Sequence, residues 1–165
     1  LHTPEVLEFV RGFETYVPQE AFVASASLRE NVPLIYLDSS AEFEDEAAVV
    51  KSLEAASLEI DERTFPDGLA TELGERGVNL SGGQKQRLSL ARSVFRSQDP
   101  GVNIILLDDP LSAVDKDTER LLAWSLFDGV WNDGSRTVIW ATHRLEFLDR
   151  ATLVVDLDAV KRSGK

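Results

Sequence analysis

No cysteine and no methionine occur in the 165 residues. The first absence rules out a disulfide framework and fits a reducing compartment. The second, with Leu1 in first place, leads to the expectation that the chain is a fragment or a processed piece. Long apolar runs are missing too. Ile104 to Leu107 is among the longest, far short of the ~18 residues a helix needs to cross a bilayer, so no direct membrane insertion by this chain is expected. Basic residues are scarce: 17 stand against 29 acidic ones, a formal charge of −12. Such a field opposes non-specific binding to nucleic acid or anionic lipid, and no nucleic-acid partner is expected. Much of the acid lies at Glu42, Glu44, Asp45 and Glu46, which read as a solvated helix face. The length allows one core, or one core with a subdomain.

The richest stretch is Leu80 to Arg92, LSGGQKQRLSLAR. Ser81 is a good helix N-cap, and Gly82 and Gly83 leave the first-turn N–H groups open to an approaching anion. Leu88, Ala91 and Phe95 then recur at helical spacing and form an apolar stripe. Taken alone, two glycines before a helix are only a capped turn; the full string LSGGQ followed by KQR and LAR points to phosphate.

Around it the chain reads in order. Phe13 to Pro18 is a short alternating strand stopped by proline, with Gln19 directly after it. Ser27 and Glu30 form a capping box for a short helix that Pro33 ends. A second box, Ser39 to Glu42, opens a helix over about 41–57, with Phe43, Ala47, Val50 and Leu53 inward. Pro66-Asp67-Gly68 is a turn, and Thr71 to Gly77 reads as an exposed loop. Asn103 to Leu107 reads as a strand buried on both faces and ends in Asp108-Asp109-Pro110; acids at the carboxyl end of such a strand sit where open α/β sheets place ligands. Two acids before a proline are also a common turn. Asp115 to Phe127 is helical, Thr137 to Ala141 is a strand followed by Thr142-His143, and Thr152 to Leu157 repeats the strand pattern after a short helical piece. Helices separating strands predict an α/β fold with a largely parallel sheet.

Five strings carry a resemblance: YVPQ at 16–19, SLREN at 27–31, TELGERGVNLSGGQKQRLSLAR at 71–92, IILLDDPLSAVD at 104–115 and ATHRLEFL at 141–148. In order and spacing they resemble the nucleotide-binding domain of ABC transporters, and in wording the first such domain of the C subfamily, the multidrug-resistance-associated type. The resemblance implies a P-loop NTPase-like parallel sheet flanked by helices, with a helical subdomain over 20–84 inserted between core pieces 1–19 and 85–165. It implies ATP and Mg²⁺ as cofactors. Gln19 matches the Q-loop amide that reaches metal and attacking water, Asp108 the Walker B acid that holds Mg²⁺, Asp109 the catalytic base and His143 the switch histidine. Ser81, Gly82, Gly83 and Gln84 match the signature motif, which the family presents in trans to nucleotide on a second domain paired head to tail. Ser112 to Asp115 match the D-loop that crosses to that partner. The other partners implied are the transmembrane domains of a transporter, with this chain at the cytoplasmic face of a membrane.

Two departures shape the expectation. No segment fits G-x-x-x-x-G-K-[ST], the loop that cradles the phosphates; Gly164-Lys165 is a decoy because position 159 is Ala and no Ser or Thr follows. The family places that loop upstream of Gln19, so the chain is expected to be incomplete at its amino terminus and to lack most of an ATP site of its own. The base position holds Asp109 where the family usually has Glu, and one methylene less predicts a weak site. Three functions follow: part of a transporter's ATP-hydrolysing domain, a fragment that serves only as signature donor or scaffold, or a soluble ABC ATPase acting on nucleic acid. Acidity and the exporter-like SLREN count against the last.

Overall fold

The computed structural model describes residues 14–34, 45–75, 78–157 and 159. Three strands, β1 (Glu14–Val17), β2 (Ile104–Asp108) and β3 (Thr137–Ala141), form a parallel sheet in the order β1-β2-β3. Parallel pairing needs long crossovers, and helices supply them. Between β1 and β2 lie α1 (Leu28–Asn31), α2 (Glu46–Ala55) and α3 (Gly82–Arg96); between β2 and β3 lies α4 (Lys116–Ala123), continued by a π-helical stretch, Trp124–Val130.

The register sets Tyr16, Leu106 and Ile139 side by side, and Val17, Leu107 and Trp140 beside them on the opposite face. On that second face Val17, Ile105 and Leu107 are buried, with Val138 and Trp140 packed at the core's margin. The first face is open: Tyr16 and Ile139 are each 54% exposed. The expectation that β2 is buried on both faces is therefore corrected. Its residues alternate between buried and half-buried, because the described helices cover one side of the sheet.

α3 is the centre of the packing. Leu88, Leu90, Ala91 and Val94 are all buried, so the helix is enclosed well beyond the stripe of Leu88, Ala91 and Phe95. α2 lies against it. The buried residues of α2 are Ala48, Val49, Ser52 and Leu53, whereas Ala47 is exposed and Val50 half-buried, which shifts the inward face from the one expected. Ser52 fits because its hydroxyl donates to the Ala48 carbonyl at 2.7 Å and accepts from Gln98 Nε2 at 2.9 Å. Asp45 caps α2 through the Ala48 N–H; the box at Ser39 to Glu42 lies outside the described residues, as do Phe13, Phe43 and Gly77. The Ser27–Glu30 box is formed in both directions, and α1 stops two residues before Pro33.

Two further expectations are corrected. Residues 71–75 are not a free loop: Leu28 N–H bonds the Thr71 carbonyl and Leu73 N–H the Ala26 carbonyl, both at 2.9 Å, with Thr71 and Leu73 buried. Gly74 permits this approach, since a Cβ there would lie 2.8 Å from Ser25 Oγ and 3.0 Å from its Cα. Residues 152–157 form no strand. Leu153, Val154, Val155 and Leu157 are exposed, because their side chains meet no layer against which a fourth strand could be fixed.

At the far side of the sheet, Trp131 N–H bonds the Leu126 carbonyl five residues back, the π spacing. This turn directs Phe127 against Trp140, with ring centroids 4.6 Å apart and stacked, and brings Trp131 Nε1 to Ser97 Oγ at 3.2 Å.

Candidate functional site

The parallel sheet aligns the carboxyl ends of its strands, and four of the singled-out residues stand there. Asp108 closes β2 opposite Ala141 of β3, Asp109 follows it, His143 comes two residues after β3, and Gln19 two residues after β1. Gln19 is exposed in the loop that leaves β1. Asp109 adopts φ 44°, a left-handed conformation that Asp tolerates better than most side chains. Its N–H is fixed to the Ala141 carbonyl at 2.8 Å, and its carbonyl accepts from Ser112 N–H at 3.2 Å. The turn directs the carboxylate toward β3, where Oδ2 lies 3.1 Å from His143 Nδ1. Asp109 is buried while the His143 side chain is 69% exposed, so the pair has an enclosed acid and a ring at the surface. Asp109 Oδ1 is buried without a hydrogen-bond partner.

Asp108 Oδ2 accepts from Tyr16 Oη at 3.3 Å across the open face of the sheet. Partial desolvation, followed by the Asp108 charge and this hydrogen bond, raises the Tyr16 hydroxyl above its ordinary pKa. Tyr16 has no signal in the sequence beyond its place in YVPQ, because its approach to Asp108 is set by the register of β1 on β2.

No group of three or more His, Cys, Asp or Glu side chains suited to a metal occurs among the described residues. Mg²⁺ in phosphate sites is held by one or two carboxylates with waters and phosphate oxygens completing the shell. Asp108, half-buried at the end of β2 and accepting from Tyr16 through Oδ2, is a carboxylate of the kind that requirement needs.

The signature residues lie at the start of α3. Ser81 Oγ accepts from Gln84 N–H at 3.2 Å and Gln84 Oε1 from Ser81 N–H at 2.8 Å, a closed capping box. The Gln84 side-chain oxygen is thus engaged within its own helix end. Gly83 has a packing reason as well: a Cβ there would lie 3.1 Å from the Ala113 carbonyl oxygen. The 112–115 turn and the α3 start are in this way pressed together. Asp115 ends the turn by capping α4, accepting from Asp117 N–H, Thr118 N–H and Thr118 Oγ1. The Thr118 N–H first, and then its hydroxyl, hold the Asp115 carboxyl below its ordinary value.

A second group that the sequence reading missed supports this edge from behind. Arg144, next to His143, pairs with Glu119 of α4 at 2.6 Å and donates to the Leu111 carbonyl at 3.4 Å. Glu119 is almost wholly enclosed, so Arg144 joins the His143 segment to α4 and to Leu111 of the turn after Asp109.

The sequence matches the ABC transporter family over residues 3–112. It is 39% identical over 158 residues to the putative ABC transporter C family member 15 of Arabidopsis thaliana, covering 94% of this chain and 14% of that protein. It is 44% identical over 150 residues to ABC transporter C family member 3 of Dictyostelium discoideum, 91% of this chain and 10% of the relative. To ATP-binding cassette sub-family C member 3 of Homo sapiens it is 38% identical over 152 residues, 90% of this chain and 9% of the relative. The chain thus spans about a tenth of the length of these relatives. Among the described residues no helix is long and apolar enough to cross a membrane. With its parallel sheet, the acid pair closing the central strand and the capped LSGGQ helix, the chain belongs to the ABC transporter family as an ATP-binding domain of the C-subfamily type.

Proposed function

We propose that the chain is part of the domain that couples ATP binding and hydrolysis to transport across a membrane, at the cytoplasmic face, with transmembrane domains and a second nucleotide-binding domain as partners. Residues 20–84 serve as the helical subdomain and the remainder as core. The observation that carries the reading is Asp109: an enclosed carboxylate on a left-handed turn, His143 at 3.1 Å on one oxygen and no partner on the other. When bound, Mg²⁺-ATP supplies the phosphoryl group and the cation that neutralises its charge. Asp108 would hold the ion's water shell, with Tyr16 fixing one of its oxygens. The Asp109 carboxylate would accept a proton from the attacking water, Gln19 would orient that water, and His143 would meet the γ-phosphate. Ser81, Gly82 and Gly83 would present first-turn N–H groups to the γ-phosphate held by the second domain.

Comparing Asp109→Glu with Asp109→Asn at a single site of the whole transporter tests this. Asn is expected to abolish turnover at that site. Glu is expected to raise it, since a misplacement of about 1 Å costs on the order of a hundredfold in rate. Equal turnover in wild type and the Asn variant would remove Asp109 from the reaction, and no gain with Glu would show that reach is not limiting.

A second reading is a signature donor or scaffold without nucleotide of its own. Titrating Mg-ATP into the 165-residue chain separates the two; saturable micromolar binding would overturn the donor reading.

A further inference from the structure

Three buried polar side chains in the helical region have no part in the chemistry above. Gln86 and Arg92 of α3 and Asn31 of α1 are almost wholly enclosed, and burying such groups is costly unless they are fully hydrogen-bonded. Their bonds converge on one irregular segment. Gln86 Nε2 donates to the Pro18 carbonyl at 3.1 Å, immediately before Gln19. Arg92 Nη1 donates to the Phe22 carbonyl at 2.8 Å, and its guanidinium lies 4.3 Å from the centre of the Phe22 ring. Arg92 Nη2 and Nε donate to Asn31 Oδ1 and to the Asn31 carbonyl, both at 2.8 Å. Asn31 Oδ1 also accepts from Ala24 N–H at 3.0 Å, while Nδ2 donates to the carbonyls of Ala24, Ala26 and Ser27 at 3.0–3.1 Å. Residues 18–26 have no regular structure of their own, so these bonds supply what a strand ladder would otherwise give.

The geometry points to Arg92 as a positioning residue: with Asn31 and Gln86 it clasps the backbone on both sides of Gln19 to the helix that begins at Ser81, so that the Gln19 segment and the signature end of α3 move as one body. Arg suits the place, because its planar fork meets three fixed carbonyl-type oxygens and its face stacks on Phe22; a lysine ammonium has neither the fork nor the plane. In purpose the inference rests on the function proposed above, since a clasp of this kind makes the position of Gln19 depend on that of the signature residues. In structure it stands independently.

Amide hydrogen exchange on the whole 165-residue chain tests the clasp. In the wild type the Ala24 N–H should be strongly protected despite its loop setting; exchange at the free-loop rate would overturn the proposal without any variant. Arg92→Lys should speed exchange across residues 20–26 by about tenfold or more, the loss of a charge-assisted bond, while Leu88 to Val94 and β2 stay protected. A uniform rise over α3 and β2, or none, would also overturn it. In the whole transporter, Arg92→Lys should lower kcat for ATP by about tenfold with KM unchanged, because the residue orients Gln19 without touching nucleotide. Loosening without that split would reject the positioning role while leaving the proposed function in place. A wild-type transporter without ATP hydrolysis would reject the proposed function, and the exchange pattern would still decide the clasp.

Discussion

The helical region before residue 97 and the sheet edge after residue 104 obtain their order by different means. In the first, apolar side chains are enclosed on nearly every side of α3, and the irregular segment beside it is tied down by buried amides and a guanidinium. In the second, one sheet face is open, and the turn that carries Asp109 is fixed by a few specific bonds: Asp109 N–H to Ala141, Arg144 to Glu119 and to Leu111. Packing holds a helix in place with many small contributions, any of which can be trimmed. An edge held by few bonds has its geometry concentrated in each of them.

That contrast can be broken most severely at Glu119. Glu119→Ala leaves the enclosed Arg144 guanidinium only the exposed Glu146, 3.9 Å away, as counter-charge and is expected to cost about 3–5 kcal/mol, read as a lowered midpoint in urea. A change under about 1 kcal/mol would show that the sheet edge does not depend on this pair. Next comes the helical region itself. Leu90→Ala removes a fully buried side chain and should cost about 2–5 kcal/mol, whereas Ile139→Ala on the open face should stay within about 0.5 kcal/mol in the same titration. Similar losses at both sites would mean that the open face is covered in solution. A smaller effect is expected from Ser27→Ala, which removes the cap of α1 and should cost about 1 kcal/mol by thermal unfolding, with the 71–73 pairing loosened because it is bonded to residues 26–28.

The least effect concerns acid. Asp133 is held down to about 2 by the Ser135 hydroxyl, then the Ser135 N–H, then Arg136. A carboxylate whose pKa is lower folded than unfolded adds stability above the unfolded value and loses it as pH falls through the folded one. Asp133→Asn should therefore flatten the pH dependence of stability between about pH 4 and pH 2 and leave it unchanged at neutral pH; an unchanged acid limb would reject the assignment.

The elements legible in the sequence were those with a local cause. Ser27 with Glu30, Ser81 as an N-cap, and the strands ending before Pro18 and at Asp108 all declare themselves within a few residues. What escaped depended on distant partners. The inward place of Ser52 on α2 depends on Gln98, and residues 71–75 read as loop until residues 26–28 pair with them. The run at 152–157 has strand composition, but a strand also needs a neighbour and a layer. At the site, Asp108, Asp109, Gln19 and His143 could be named in advance because strings mark them, and the sheet brings the ends that carry them to one edge. The 3.1 Å approach of His143 to Asp109 and the hydroxyl of Tyr16 on Asp108 arise from strand register, which no local pattern encodes.

The π-helical stretch at Trp124–Val130 has one more consequence. A π turn holds one residue more than an α turn, and each residue turns an α-helix by about 100°. Deleting one residue of α4 ahead of it would swing everything beyond by that angle and part Trp131 from Ser97, a loss that indole fluorescence would report. Deleting one within the π turn restores ordinary pitch and leaves Trp131 nearly in phase. Replacing exposed Trp124 changes composition without changing that count. The π stretch is thus the place where this helix can lose a residue without losing its phase, and α4 is the place where it cannot.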